Sequence, residues 1–246
     1  MSELGWILAG GLGMSAIALV GGLTTLLRPA TLERLLLPMV ALAAGTLLGG
    51  AAFHMIPRST AGMAAPSAAL WVLSGFVAFL LLEQLLGWHH AHRGGGDGRR
   101  PMGWLILVGD AVHNFIGGLG VASVFLIDPR AGLLAWLAAA AHEIPQELGD
   151  FGVLVHSGWS KRRALAWNLA SASSFPLGAL LAWGAARRLE FDVAGLALFA
   201  AGNFIYIAAS DLIPEIKRDL RPARAALPLF CLITGLGLLY AAALFQ

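Results

Sequence analysis

The sequence has few charged residues and a single cysteine. Of its 246 residues, 12% are charged and 58% are hydrophobic, whereas a soluble domain carries roughly 25% charged and about 45–50% apolar residues. So few charges cannot cover the surface of a water-soluble domain of this length, which excludes a soluble enzyme, a nucleic-acid-binding protein and a disordered chain. Cys231 cannot form an internal disulfide, so metal ligands would have to be His, carboxylate or amide groups.

Eight apolar runs are long enough to cross a bilayer, which needs about 20 mainly apolar residues. They cover residues 4–27, 35–56, 67–88, 102–126, 131–155, 164–186, 193–214 and 225–246. We predict an all-α polytopic membrane protein with one transmembrane domain, 1–246, and a flexible His- and Gly-rich cytosolic loop at 89–101. The first run lacks a basic start and a small-residue cleavage site, which favours a retained helix over a cleaved signal peptide.

The basic residues predict the orientation of the eight spans. All 16 lie between the apolar runs; with the N-terminus outside, 12 fall in cytosolic loops and 4 in outer loops. Cytosolic loops of membrane proteins carry the excess of lysine and arginine. We therefore expect a protein of the inner (plasma) membrane with both termini outside the cytosol.

Spans two and seven contain similar segments, 44–57 and 201–214. Six of the 14 aligned positions are identical, including the Ala-Gly pair at the start and the proline at the end. The two spans run in opposite directions in the predicted topology. Inverted repeats of this kind surround the binding sites of secondary transporters, although chance similarity between two Ala- and Gly-rich helices would also produce the match.

All the ionisable residues inside the predicted spans are acids or histidines. They are Glu83, Asp110, Glu143, Glu147, Asp150, Asp211, His54, His113 and His142. A carboxylate in hydrocarbon is costly unless it is paired or hydrated, and no lysine or arginine lies in these spans. The acids must be protonated, reach water or bind a cation, so this composition indicates a cation site or pathway.

The polar residues of spans four and five are concentrated on one face of each helix. At about 100° per residue, His142, Glu143, Gln146, Glu147 and Asp150 fall within about 140° of arc. The polar residues of span four lie within about 100°; they are Asp110, His113 and Asn114. Two such faces should turn toward each other and away from lipid. Imidazole favours Zn²⁺ and its neighbours, and the oxygen ligands extend the choice toward Mn²⁺ and Fe²⁺.

Two motifs on these spans resemble those of the ZIP metal transporters. Residues 109–118, GDAVHNFIGG, resemble the family's fourth-helix HNFxDG motif, and residues 142–151, HEIPQELGDF, resemble its fifth-helix HExPHELGDF motif. The resemblance implies uptake of Zn²⁺ and related divalent metals, such as Fe²⁺, Mn²⁺ and Cd²⁺, into the cytosol. It also implies inverted repeats of spans 1–3 and 6–8 around a metal site between spans four and five. The implied metal residues are His113, Asn114, His142, Glu143, Gln146 and, as a partner of the ligands, Glu147.

Two positions depart from the family motifs. Gly117 stands where the family has an acid, and Gln146 stands where it has the second histidine of HExPH. Because the acid that helps to bridge two metals in some relatives is missing, we expect one bound metal. The metal would be transported cargo and not a resident cofactor, and the partners would be the metal ion, the bilayer and a second copy in a homodimer.

Further polar residues have less specific interpretations. Asp110, His54 and Asp211 are candidates for the transport pathway, although interfacial placement would equally explain the last two. Asp110 could instead bind metal transiently, relay protons, or hydrogen-bond Tyr206 or Asn203. The histidines of the 89–101 loop could receive or sense exiting metal, or simply be solvated.

Two other functions fit parts of the sequence. HExxH on a helix is the zinc site of many metalloproteases, so the HEIPQ segment could belong to an intramembrane protease, but its second histidine is missing. A metal-sensing receptor without flux is a third class. We predict a transporter and not an enzyme.

Overall fold

The computed structural model describes residues 2–25, 29–92, 99–218 and 222–245, and within these ranges the chain forms eight helical rods and no strand. The rods are α1 (Glu3–Ile17, continued as a 3-10 helix, Ala18–Thr25), α2 (Pro29–Gly49, a π-helical stretch at Gly50–Met55, and Ile56–Ser59), α3 (Ala65–His92), α4 (Arg99–Ile127), α5 (Pro129–His156), α6 (Lys161–Ala172 and Ser174–Arg188), α7 (Ala194–Tyr206, a π-helical stretch at Ile207–Leu212, and Ile213–Arg218) and α8 (Pro222–Leu244). The all-α class is confirmed, and each of the eight predicted spans corresponds to one of these rods.

Seven helical segments of the described chain are long and apolar enough to cross a membrane. They lie in every rod except α5, which carries Glu143, Glu147 and Asp150. A helix with this many acids is stable inside a membrane only if the surrounding rods shield its acids from lipid. In the structure α5 contacts α1, α2, α4 and α6, which separates its polar face from lipid.

Capping residues set where several rods begin. The carboxylate of Asp128 accepts hydrogen bonds from the backbone N–H groups of Arg130 and Ala131 at the start of α5, and Pro129 occupies the first helical position. The hydroxyl of Ser160 accepts a bond from Arg163 N at the start of α6. Both side chains satisfy backbone amides that lack a partner inside the helix. These caps therefore fix the residues at which α5 and α6 begin.

The repeat predicted from the sequence appears as matched π-helical stretches. The stretch in α2 and the stretch in α7 occupy equivalent positions of the two similar segments, and each is followed by a proline, Pro57 or Pro214. Proline has no N–H and its ring clashes with the carbonyl four residues earlier. A wider turn before it relieves that clash, so the same local sequence produces the same distortion twice.

Glycines pack the two repeats in the same way. A Cβ on Gly45 of α2 would lie 2.1 Å from the carbonyl oxygen of Leu232 in α8, and one on Gly202 of α7 would lie 1.9 Å from that of Val72 in α3. Gly45 and Gly202 are equivalent positions of the repeat. Small residues let helix backbones approach closely where lipid offers no hydrophobic drive for association. The pairs α2–α8 and α3–α7 are therefore two copies of one arrangement.

The remaining rods surround the centre of the molecule. α4 packs tightly on α6, because a Cβ on Gly118 would lie 2.0 Å from the carbonyl oxygen of Phe175 and one on Gly178 would lie 2.0 Å from that of Phe115. The glycines of span four therefore form part of a helix-packing surface. The sequence did not predict the interruption of α6 at Ser173, two residues after Ser171.

The predicted loop at 89–101 is mostly helical where the structure describes it. α3 extends to His92 and α4 begins at Arg99, and residues 93–98 lie outside the described residues. The three histidines of this segment therefore belong to the last turn and a half of α3. Its predicted flexibility stays a prediction.

Candidate metal site

Two imidazoles and a carboxylate meet between α4 and α5. Nε2 of His113 lies 3.0 Å from Nε2 of His142 and 3.0 Å from Oε1 of Glu143. The second imidazole lies 3.4 Å from the same carboxylate oxygen. All three residues are at most 5% exposed. The polar faces of spans four and five thus turn toward each other, as their helical periodicity predicts.

The spacing of these atoms suits a tetrahedral metal ion. With metal–ligand bonds of about 2.0–2.1 Å, two ligands of a tetrahedral Zn²⁺ lie about 3.3 Å apart, and the three separations here are 3.0, 3.0 and 3.4 Å. An aromatic ring packs against each of the two imidazoles. Phe79 packs edge-on against His113 and Phe204 against His142. Neutral imidazole and carboxylate form a ligand set typical of zinc and its neighbours.

Asp110 organises the amide side chains beside this group. Its Oδ1 accepts hydrogen bonds from Nδ2 of Asn114 at 2.8 Å and from Nε2 of Gln146 at 3.0 Å. The hydroxyl of Ser171, from α6, lies 2.5 Å from the other carboxylate oxygen. Asp110 therefore bonds to neither Tyr206 nor Asn203, the two partners considered from the sequence. The buried Oδ1 of Asn114 has no hydrogen-bond partner, which leaves that amide oxygen available to a ligand.

Glu147 faces α6. Its side chain, 1% exposed, accepts a short hydrogen bond from Nδ2 of Asn168. Sequence reasoning did not single out Asn168 or Ser171. They lie three residues apart on one face of α6, in a segment that begins with three basic residues, and this spacing is the signal that could have found them.

The structure shows two groups of potential ligands that share Glu143. One is the pair of histidines with Glu143, and the other is Asp110, Glu143 and Glu147, whose ligand atoms lie within 4.8 Å of one another. The arginine ion pairs seen among the described residues, Arg58–Asp128 and Arg187–Glu3, lie at helix ends and do not involve these acids. Our expectation of a single metal rested on the missing family acid and did not anticipate this second, all-carboxylate group.

A phenyl ring fills the space beside the missing acid. A Cβ on Gly117 would lie 3.3 Å from the ring of Phe175, which is 2% exposed. The absence of an acid at position 117 of α4 is thus matched by a large apolar side chain on α6. The departure at Gly117 is therefore accompanied by a packing contact with Phe175, whereas the departure at Gln146 is separate from it.

The site borders a cavity of about 420 Å³. Asp110, His113 and Gln146 line it, together with residues of α2, α3 and α7. Acids in the C-terminal halves of three different rods also face it; they are Glu83, Asp150 and Asp211. Tyr206 donates a short hydrogen bond to the first of these acids.

The two repeat-related pathway candidates differ in their surroundings. Asp211 is exposed and lines the cavity. His54 is fully buried, and its Nε2 lies 2.8 Å from the carbonyl oxygen of Leu239 in α8. The structure therefore brings Asp211 to the cavity and places His54 in the packing of α2 on α8.

A family model identifies the protein family to which this chain belongs. The family model described as ZIP zinc transporter matches residues 89–243, well over half of the chain. The chain belongs to the ZIP family. The site described above lies within the matched residues.

Several zinc transporters are similar to this ZIP chain. Zinc transporter ZIP13 of Pongo abelii is 30% identical over 217 residues, which cover 80% of this chain and 64% of that protein. Zinc transporter SLC39A7 of Mus musculus is 29% identical over 82% of this chain and 61% of its own length. Human zinc transporter ZIP4 is 42% identical over 125 residues, half of this chain and 19% of that protein. The chain thus spans less than two thirds of the length of each of these three relatives.

Proposed function

We propose that this protein takes up divalent metal ions across the cytoplasmic membrane, with Zn²⁺ as the main substrate. The observation that carries the proposal is the buried meeting of His113, His142 and Glu143 at 3.0–3.4 Å beside a cavity lined with acids. The names of its relatives point the same way, since ZIP13, SLC39A7 and ZIP4 are all called zinc transporters. Fe²⁺, Mn²⁺ and Cd²⁺ are further candidate substrates.

Each polar residue of the site has a proposed part in binding. The two imidazoles and Glu143 hold the metal directly, and the free amide oxygen of Asn114 and the side chain of Gln146 are additional ligands. Glu147, held by its amide partner on α6, places a further carboxyl group next to the ligands. The metal is the cargo in this proposal, and no resident cofactor is needed.

Asp110 and Asp211 are proposed to line the path of the metal. Both face the cavity, one beside the site and the other near the end of α7. A divalent ion that leaves three ligands loses their charge and contacts, and carboxylates that line the cavity lower that cost. His54 is not part of the path in this proposal, because its imidazole contacts the backbone of α8.

The location of the cavity is consistent with a state open to the cytosol. Three of the acids that line it lie in the C-terminal halves of α3, α5 and α7, and the charge distribution favours a cytosolic location for the C-terminal ends of these rods. We propose that both termini lie outside and that the protein forms a homodimer in the membrane; chemical cross-linking in native membranes tests the dimer.

The test of the site is metal flux in proteoliposomes. Reconstituted protein should carry Zn²⁺ into vesicles that contain a fluorescent zinc indicator. H142A and E143Q should each reduce the initial rate at least tenfold, because the first removes one of three converging ligands and the second removes the negative charge of another. E190Q, which alters an exposed acid away from the cavity, should retain the rate. Competition by Fe²⁺, Mn²⁺ and Cd²⁺ then ranks the substrates.

Two results would reject the proposal. Wild-type rates in both H142A and E143Q would remove the assignment of the site. Cleavage of a membrane-embedded peptide without any metal flux would favour the hypothesis that the HEIPQ segment belongs to an intramembrane protease.

A further inference from the structure

Three tryptophans form a cluster at one end of the bundle, away from the metal ligands. The ring of Trp104 in α4 lies edge-on to that of Trp159, in the turn before α6, at 5.1 Å, and to that of Trp167 in α6 at 4.8 Å. Aromatic pairs at such distances attract each other beyond their simple burial. The cluster therefore joins the start of α4 to the start of α6.

The cluster is anchored on one side and open on the other. Trp159 is only 7% exposed and packs over Gly103, where a Cβ would lie 3.0 Å from its ring nitrogen. Trp104 and Trp167 are 41% and 42% exposed. A rigid aromatic surface thus faces the surroundings of the protein.

Three consecutive cations stand next to these rings. Lys161, Arg162 and Arg163 are exposed in the first turn of α6, and the guanidinium carbon of Arg163 lies 4.3 Å from the centroid of the Trp159 ring. In the part of the chain that the structure describes, none of the three forms an ion pair with a carboxylate. Their charge is available to an anion from outside the chain.

The cluster and the cations lie at the edge of the membrane. The helical segment of α6 that is long and apolar enough to cross a membrane covers Lys161–Arg188 and has these three cations at its first end. Charged residues at the end of such a segment are expected at the level of the lipid headgroups. Tryptophan concentrates at that level, and basic side chains there attract anionic phospholipids. A protein partner would have to displace lipid from the exposed rings, so a lipid is the occupant that fits both the charge and the location.

We propose that this surface, the Trp–Arg patch of Trp104, Trp159, Trp167, Lys161, Arg162 and Arg163, binds the phosphate headgroup of an anionic phospholipid. The cations contact the phosphate and the two exposed rings contact the upper acyl chains. The same segment of α6 carries Asn168 and Ser171, which hold Glu147 and Asp110. A bound lipid therefore steadies the helix that positions these acids.

The test is a thermal unfolding titration of the full chain in detergent. Dioleoylphosphatidylglycerol should raise the Tm of the wild type by about 4 °C or more over an equal amount of dioleoylphosphatidylcholine, because a ligand that binds the folded state stabilises it. The variant K161Q/R162Q/R163Q should lose this difference, and W104F/W167F should reduce it. R130Q/R188Q/K217Q removes three positive charges elsewhere and should keep it.

Three outcomes would overturn the proposal. One is an equal Tm shift in the wild type and in K161Q/R162Q/R163Q. Another is loss of the shift in the R130Q/R188Q/K217Q control, which would indicate a response to net charge. The third is a shift produced equally by inorganic phosphate, which would make the patch an anion site without lipid specificity. A native mass spectrum with phosphatidylglycerol retained by the wild type and not by K161Q/R162Q/R163Q would support the proposal independently.

Discussion

Single hydrogen bonds from α6 decide how the acids of α5 can be buried. Glu147 is 1% exposed, and its partner among the described side chains is Asn168, itself fully buried. An acid at this depth needs a donor or a proton, since an unpaired buried polar group costs about 1–3 kcal/mol or more. The amide of Asn168 therefore makes a charged or protonated side chain tolerable beside the metal ligands.

Removal of Asn168 should destabilise the protein through this one contact. N168A should lower the free energy of unfolding by about 1–3 kcal/mol, visible as a fall of several degrees in Tm. In an E147A background, where no carboxylate needs the donor, the same change should cost clearly less. S173A, which alters an exposed hydroxyl bonded within its own helix, is the matched control. Equal costs in both backgrounds would show that the Asn168–Glu147 bond does not stabilise the fold.

Close helix contacts are the main feature at the level of the elements. In α2 and α7 a glycine at the equivalent position lets a neighbouring backbone approach until no Cβ could fit. The π-helical stretches follow a few residues later in both rods. Sequence similarity between the two segments was modest, yet the structure repeats both the contact and the distortion. The repeat is therefore a property of packing and not a chance match of small residues.

Alanine substitutions separate the packing glycines from those in open space. G45A and G202A should each strongly reduce the yield of monodisperse protein in size-exclusion chromatography, because the added methyl would sit 2.1 Å or 1.9 Å from a carbonyl oxygen. G237A lies in α8, where nothing approaches within 4 Å of an added Cβ, and it should be neutral or slightly stabilising. A normal yield from both G45A and G202A would contradict the close approach of these helices.

At the scale of the whole molecule, a cavity opens at one end of the helix bundle and ion pairs connect helices at the other. The cavity reaches the candidate ligand His113 and is lined on its other side by the C-terminal halves of α3, α5 and α7. At the opposite end Arg58 pairs with Asp128 at 3.2 Å and Arg187 with Glu3 at 2.5 Å. The first pair joins α2 to the connection between α4 and α5, and the second joins α6 to α1. A one-sided opening is what alternating access requires of a single state.

Thiol labelling from each side of the membrane tests this asymmetry. In a C231S background, L212C in the cavity wall should react with a membrane-impermeant maleimide in inside-out vesicles and resist it in right-side-out vesicles. R130C, exposed at the other end, should show the opposite pattern. Labelling of both cysteines from the same side would contradict the orientation derived from the basic residues.

The sequence alone determined the class of the protein and much of its candidate site. Charge scarcity and eight apolar runs defined the membrane fold, because hydrocarbon requires long helices with satisfied backbones. Helical periodicity placed His113, His142 and Glu143 on facing stripes, and the structure brings them together. Local sequence also contained the repeat, since its glycine and proline act over short distances.

Other features depended on contacts between distant segments, which periodicity does not encode. The tertiary structure gave Glu147 its partner on α6, gave Asp110 side-chain donors from α5 and α6, and placed Phe175 beside Gly117. It also separated Asp211, which faces the cavity, from His54, which packs on α8, although both occupy the same repeat position. These two equivalent positions have different surroundings because the helices that pack against α2 and α7 carry different side chains.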